Sequence, residues 1–396
     1  MGRLTRSDVS GAFQVSNVYN GALVGPLMFV GSLATTYYIP YGMWSIWTPL
    51  VSMGIFGIIW ACCLEFPRRY GCQDYIEVSK VMYGKYSKIC TPIIDVYQII
   101  SYFIGLGIYL AIVGPFMHDL FGIPDLLGIA ILAVLALILT MFYDKVVRFS
   151  ATIMTVAMLA GAALLGIYIF AIQGDVLAEM FRSFFVPEGS KIGSALYDAA
   201  MYGLASCGAA VGYACISQPI KKKGQNWLVC LFTVLISGGL CIITNMYYVG
   251  FIPEILSEAS PAAYVLNTYI YPVAPYVVVI YSAVMLFALV SSLLPNLFIL
   301  STRFDRIIPN KGIFANHKTK YFIMGLTFSI IATISALTGL QNLLNVGLGF
   351  LSYVGMPLIA IPAVIIWPII HYRRDKAAKL AAQAGNAAQG EGSANE

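Results

Sequence analysis

Charge is segregated along this chain. Lysines, arginines and acids sit in short clusters between uncharged runs of about twenty residues or more, long enough to cross a bilayer as helices. Only 10% of the residues are charged and 59% are hydrophobic, and the mean hydropathy is +0.81. A soluble domain carries roughly 25% charged residues, so an ordinary soluble protein is excluded. Inside hydrocarbon every backbone polar group must be satisfied internally, which leaves helices or closed barrels. Apolar runs without period-two alternation exclude the barrel. The expected fold class is an all-α polytopic membrane protein.

Apolar runs read against charge clusters place spans at about 11–36, 42–64, 89–117, 124–142, 149–172, 193–217, 226–252, 273–300, 321–340 and 344–370, about 10 transmembrane helices. With a cytoplasmic N-terminus, all of the 23 lysines and arginines except Arg182 and Lys191 fall on the cytoplasmic side. The positive-inside rule then puts both termini in the cytoplasm, supports an even number of spans, and suits a cell (inner) membrane protein. The net charge of +5 therefore reports topology, and no basic stripe with interleaved aromatics points to nucleic acid.

The eight cysteines have no CxxC spacing and read as small packing residues. His118, His317 and His371 lie near span ends, which argues against a histidine metal site in the membrane. No cleavable signal peptide is apparent. Two external connections are long, 173–191 and 253–272, and the second reads as a surface helix over an outer vestibule. The first internal connection, EFPRRYGCQDYIEVSKVMYGKY, reads as an amphipathic interfacial helix. From Ala377 the composition cannot bury apolar area, so 372–396 reads as a disordered cytoplasmic tail.

Span one, GAFQVSNVYNGALVGPLMFVGSLATT, carries Asn17, Asn20, Gly21, Gly25 and Pro26 in its middle. Proline removes a backbone donor and glycine lowers helix propensity, so an opened helix is expected there. Span six, GSALYDAAMYGLASCGAAVGYACISQ, has Gly203, Ser206, Gly208 and Gly212 in its middle. The two breaks lie at equal depth in helices of opposite direction. That suggests a 5+5 inverted repeat, with broken helices 1 and 6 meeting at the midplane. The chain then divides into a first five-helix repeat (1–172), an external linker (173–192), a second five-helix repeat (193–371) and the tail. The competing reading is that these glycines only allow close helix packing, as Gly-x-x-x-Gly at Gly21 and Gly25 does in other membranes.

On FQVSNVYNGALVGP in span one, GLASCGAAVG in span six and LVSSLLPN in span eight, the chain resembles the amino acid, polyamine and organocation transporter superfamily, whose fold is that of the bacterial leucine transporter. It looks closest to the YkvI-like bacterial membrane proteins. The resemblance implies that Tyr102 or Tyr109 of span three lines the solute pocket. It also implies that Ser291 and Ser292 hold sodium together with carbonyls near Gly21 and Val24. The competing reading is that the serines bond back to the preceding turn. Proton-coupled relatives often carry a lysine on span five, and 149–172 is uncharged, which favours sodium.

Freed amides and carbonyls of a half-unwound helix suit a zwitterion, so Asn20 to Gly25 and Ser206 to Gly208 are the substrate-site candidates. Few acids lie inside predicted spans, and Asp95 and Asp198, costly there, are the functional candidates among them. Asp198 lies above the span-six break, where it would meet a substrate amine. Asp95 lies near the cytoplasmic end of span three. Neither has an obvious cationic partner in the sequence. No Walker A loop supports ATP coupling, and too few His, Asp and Glu lie in spans for a membrane enzyme. Polarity concentrated at the middle of three spans also disfavours a channel. The expected activity is sodium-coupled secondary transport of a small organic solute, an amino acid or related amine, with proton coupling or exchange as the alternative.

Overall fold

The computed structural model describes residues 4–19, 25–140, 143–214, 220–258 and 260–371. Asn20, Gly21, Val24 and the tail 372–396 lie outside the described residues. Among those described there are helices and turns but no strand.

In the first expected span the described residues form α1 (Arg6–Tyr19), α2 (Gly25–Val30) and α3 (Ser32–Tyr37), the last two interrupted at Gly31. Then come α4 (Thr48–Cys63), α5 (Glu65–Tyr70), α6 (Tyr75–Tyr83), α7 (Ser87–Phe121), α8 (Asp125–Thr140) and α9 (Tyr143–Ser183). α9 carries ten residues and more of the expected external linker as continuous helix. The sixth span is α10 (Ile192–Ala205) and α11 (Cys207–Ala214), interrupted at Ser206 (φ −81°, ψ 4°). The chain continues through α12 (Lys223–Thr233), a π turn at Val234–Gly238 and α13 (Gly239–Val249). α14 (Pro261–Val265) follows in the 253–272 connection, ahead of α15 (Pro275–Asp305) and α16 (His317–Ala336). The last helix is built from α17 (Leu340–Asn342), α18 (Leu348–Gly355) and π turns at Leu343–Gly347, Met356–Ala360 and Pro362–Ile366.

Among the described residues, 7 continuous helices are long and apolar enough to cross a membrane. The other three expected spans are the two interrupted ones and α8. α1 packs on α12, α10 on α4 and α18, α7 on α16 and α8, and α15 on α9 and α7.

The interruptions leave carbonyls without amide partners, and tyrosines from neighbouring helices supply the missing donors. Tyr248 (3.0 Å) and Tyr281 (2.7 Å) both donate to the Phe29 carbonyl at the end of α2. In the last helix the Leu348 amide bonds to Leu343, and the Leu344 carbonyl accepts from Tyr37 at 2.8 Å. Pro362 has no amide hydrogen to give the Leu358 carbonyl, which accepts from Tyr83 at 2.7 Å.

Gly31, between α2 and α3, has φ +82°, and a Cβ there would lie 2.9 Å from both Pro261 Cβ and the Tyr248 ring. Left-handed backbone and close approach of α14 both demand glycine at this position. Gly31→Ala should therefore lower stability by about 1–3 kcal/mol, read as a reduced unfolding midpoint in detergent.

α1 is tied to the start of α12 at its first turn. Lys222 Nζ lies 2.6 Å from Asp8 Oδ2, and Gln225 Nε2 donates to the Asp8 carbonyl at 3.0 Å. The hydrogen bond from Lys222, followed by those from Thr5, lowers the Asp8 carboxyl from 3.8 to about 2. For a depressed carboxyl the tie is complete above the ordinary value and is lost as pH falls through the lowered one. Spin-label distances between α1 and α12 should hold from neutral pH down to about 4 and broaden as pH falls toward about 2. Asp8→Asn should show the broadened distribution already at neutral pH.

Candidate functional site

At the interruption of the sixth span the helices enclose a cavity. Leu27 of α2, Tyr202, Ala205, Ser206 and Ala209 of α10 and α11, and Asn296 of α15 line it, with Leu348 and Leu351 of α18. From α7 it takes Ser101, Tyr102, Gly105, Ile108 and Tyr109. Tyr102 and Tyr109, one or the other of which the resemblance implies for a solute pocket, and Ser206 of the sixth-span candidate stretch all line this space. Gly25 opens α2, two residues before Leu27. The open volume is about 50 Å³. At about 10–15 Å³ per water, that is room for a few waters. A solute of amino-acid size enters only if the helices part.

The glycines of the sixth span act through close approach. A Cβ on Gly203 would meet the Ser52 carbonyl oxygen of α4 at 2.6 Å, and one on Gly208 would meet Ser101 Oγ at 2.8 Å and Gln98 Oε1 at 3.0 Å. A Cβ on Gly212 would collide with the Tyr102 hydroxyl. Close packing is thus what these glycines provide, while the helix is interrupted at Ser206. Gln98, fully buried, donates from Nε2 to the Gly208 carbonyl at 3.0 Å, and its Oε1 has no hydrogen-bond partner among the described residues. Gln98, Ser101 and Asn296 are contributions the sequence reading missed. A polar side chain in an apolar span was the available signal.

The serine pair of α15 lies one turn from Asn296. Ser291 Oγ (3.2 Å) and Ser292 Oγ (2.9 Å) both donate to the Ala288 carbonyl. This is the bonding to the preceding turn that the sequence left open, and it gathers three hard oxygens on one side of a helix. Pro295 has no amide hydrogen for the Ser291 carbonyl, a fourth oxygen at this turn. Asn296 joins this turn to the cavity. Its Nδ2 donates to the Ser292 carbonyl at 2.8 Å, and its Oδ1 accepts from Tyr213 of α11 at 3.4 Å.

The two acids lie apart from the cavity. Asp198 accepts a hydrogen bond from Tyr41 in the Ile39–Ile46 segment and does not line the cavity. Asp95 has the cationic partner that the sequence did not disclose. Arg303 of α15 donates from Nε to its Oδ1 at 2.9 Å, and Tyr75 of α6 donates to the same oxygen at 2.7 Å. The partner is 208 residues away and reaches Asp95 only through packing of α7 on α15. Among the described residues no three His, Cys, Asp or Glu converge to hold a metal ion.

No protein-family model and no curated protein sequence matches the chain. Solved structures do. A Na+-coupled sialic acid symporter in a substrate-bound outward-open state superposes with a TM-score of 0.66 at 11% identity, over 90% of this chain and 79% of that one. MhsT in complex with L-phenylalanine gives 0.55 at 15% identity, over 93% of this chain and 98% of that one. Mhp1 in an inward-facing conformation gives 0.56 at 15% identity, over 89% and 75%. The chain is a multi-pass helical membrane protein that shares the fold of these transporters.

Because Gly212 faces the Tyr102 hydroxyl, Gly212→Ala should displace that ring from the cavity wall. The unfolding midpoint in detergent should fall, by the equivalent of about 1–3 kcal/mol, the cost of forcing an extra carbon into a packed contact. Gly54→Ala, where a Cβ meets nothing within 4 Å, should leave it unchanged.

Proposed function

We propose that this chain is a secondary active transporter of a small organic solute, an amino acid or related amine, driven by sodium through alternating access. The observation that carries the reading is the pairing of two features within one fold. One is a small, largely apolar cavity at the interrupted sixth span that carries a few polar groups, Ser101, Ser206 and Asn296 among them. The other is the oxygen cluster of Ala288, Ser291 and Ser292, joined to the cavity by Asn296. The sialic acid symporter of similar fold is itself Na+-coupled, and MhsT was solved with a zwitterionic amino acid. Membership of the amino acid, polyamine and organocation superfamily is part of the proposal.

In this reading the solute sits between Asn20 to Gly25 and Ser206 to Gly208, against Tyr102. Sodium is held by Ser291, Ser292 and span-one carbonyls near Gly21 and Val24. The ion bridges α15 to the divided first helix and favours the state that binds it better. Asn296, touching both places, transmits occupancy from one to the other. Asp198 guards the outer approach beside Tyr41. The 5+5 inverted repeat belongs to the same proposal. In such a repeat α1 on α12 and α10 on α4 are counterpart pairs, as are α7 on α16 and α15 on α8, and all four pairs pack together. Both termini are assigned to the cytoplasm of a cell membrane.

Uptake into proteoliposomes, with labelled amino acids and amines and with sodium present or replaced by choline, tests the proposal. Uptake should require sodium. Ser292→Ala should raise the sodium concentration for half-maximal uptake about fivefold, ~1 kcal/mol, with solute affinity at saturating sodium little changed. Equal uptake in choline, or uptake that follows an imposed proton gradient alone, would assign proton coupling instead.

A further inference from the structure

α7 turns one stripe of residues toward the central cavity. Ser101, Tyr102, Gly105, Ile108 and Tyr109 all line it, at the three- and four-residue spacing of a single helix face. Gly105 is the middle of that stripe and its one member without a side chain. Among the described residues, a Cβ on Gly105 would meet nothing within 4 Å. At Gly203, Gly208 and Gly212, by contrast, a neighbouring helix stands against the Cβ position. Close packing among the described residues therefore does not account for Gly105. Its backbone continues the helix without a positive φ, so no left-handed turn demands glycine either. Inside a helix glycine costs stability relative to alanine, and what it gives in return here is room in the cavity wall.

The wall around that room is uncharged. Its polar groups are the hydroxyls of Ser101, Ser206 and the tyrosines and the amide of Asn296, and much of the rest is apolar. No described lining residue carries a charge. The stretch 20–24, which the transport reading also places at the solute, is uncharged in the sequence. Of the two candidate acids, Asp95 is engaged by Arg303 and Asp198 by Tyr41. Helix-end dipoles at an interrupted span can match the two opposite ends of a zwitterion. A further ionic group on the solute would meet no countercharge in this wall, and an uncompensated charge in a low-dielectric site is costly.

We infer that the solute is a zwitterion with a bulky uncharged side chain, and that Gly105 sets the size of that side chain. The side chain lies over Gly105 against the apolar lining of Ile108, Leu348 and Leu351. Amino acids with aromatic or branched apolar side chains fit this description, whereas lysine, glutamate and diamines do not. This inference rests on the transport reading.

The test offers phenylalanine, leucine, alanine, lysine, glutamate and the diamine putrescine to the full chain in proteoliposomes, with sodium and proton gradients both imposed. Phenylalanine and leucine should be taken up. Lysine, glutamate and putrescine should be at least about a hundredfold poorer, the cost of a bare charge in a membrane interior expressed as affinity. Gly105→Ala should lower kcat/KM for phenylalanine relative to alanine about tenfold, the discrimination that one methyl group gives in an apolar pocket. Gly105→Leu should lower it further. Alanine favours helix, so the unfolding midpoint of Gly105→Ala should hold or rise, and a changed selectivity at an unlowered midpoint separates a size filter from a damaged fold. Lysine or putrescine taken up as well as phenylalanine would overturn the uncharged side chain, with transport itself intact. A phenylalanine-to-alanine ratio unchanged in Gly105→Ala and Gly105→Leu would overturn the role of Gly105. Uptake of none of the six would overturn the transport reading and this inference with it.

Discussion

A carbonyl without a donor cannot be left in hydrocarbon, and that constraint organises this structure. Where a helix is interrupted or widened such a group is exposed, and at Phe29, Leu344 and Leu358 it is met by a tyrosine from another helix. Phe29 is the clearest case, since its carbonyl accepts from Tyr248 and Tyr281 and its ring stacks on Tyr281 at 5.2 Å. Those hydroxyls fix α13 and α15 against α2. Tyr37 and Tyr97 do the same between the last helix and α3 and α7, through Leu344 and Leu351. The interruptions are therefore the points at which the helices are joined.

The same joints bear on movement. A hydrogen bond from a tyrosine hydroxyl to a carbonyl is directional and individually modest, worth about 1 kcal/mol net. A bundle held by such bonds can exchange one arrangement for another at less cost than a continuous leucine interface. At the cation-rich end the contacts are ionic. Asp8 meets Lys222, Asp95 meets Arg303, and Asp74 meets Arg306. They link α1 to α12, α7 to α15, and the α6 region to the end of α15.

Glycine has two jobs here, and only geometry separates them. Gly31 supplies a left-handed backbone in the first span. Gly203, Gly208 and Gly212 keep a right-handed helix and lack a Cβ because α4 and α7 press against it. Both kinds look the same in a sequence, where glycine-rich stretches of spans one and six read alike as breaks.

Charge segregation and run length determined that this chain is helical and membrane-spanning, because the cost of bare backbone in lipid leaves no other choice. The serine pair of span eight was legible as a place where hydroxyl oxygens lie side by side, since residue type alone controls hydroxyls. Partners were not legible. Arg303 beside Asp95, Tyr41 beside Asp198, and Asn296 between the serine turn and the cavity are contacts across 208, 157 and 83 residues or one turn of helix. The tyrosines show the limit most plainly. With 26 in the chain, no single one stands out in the sequence. Which of them meets an orphaned carbonyl is decided only when helices far apart in the chain pack side by side.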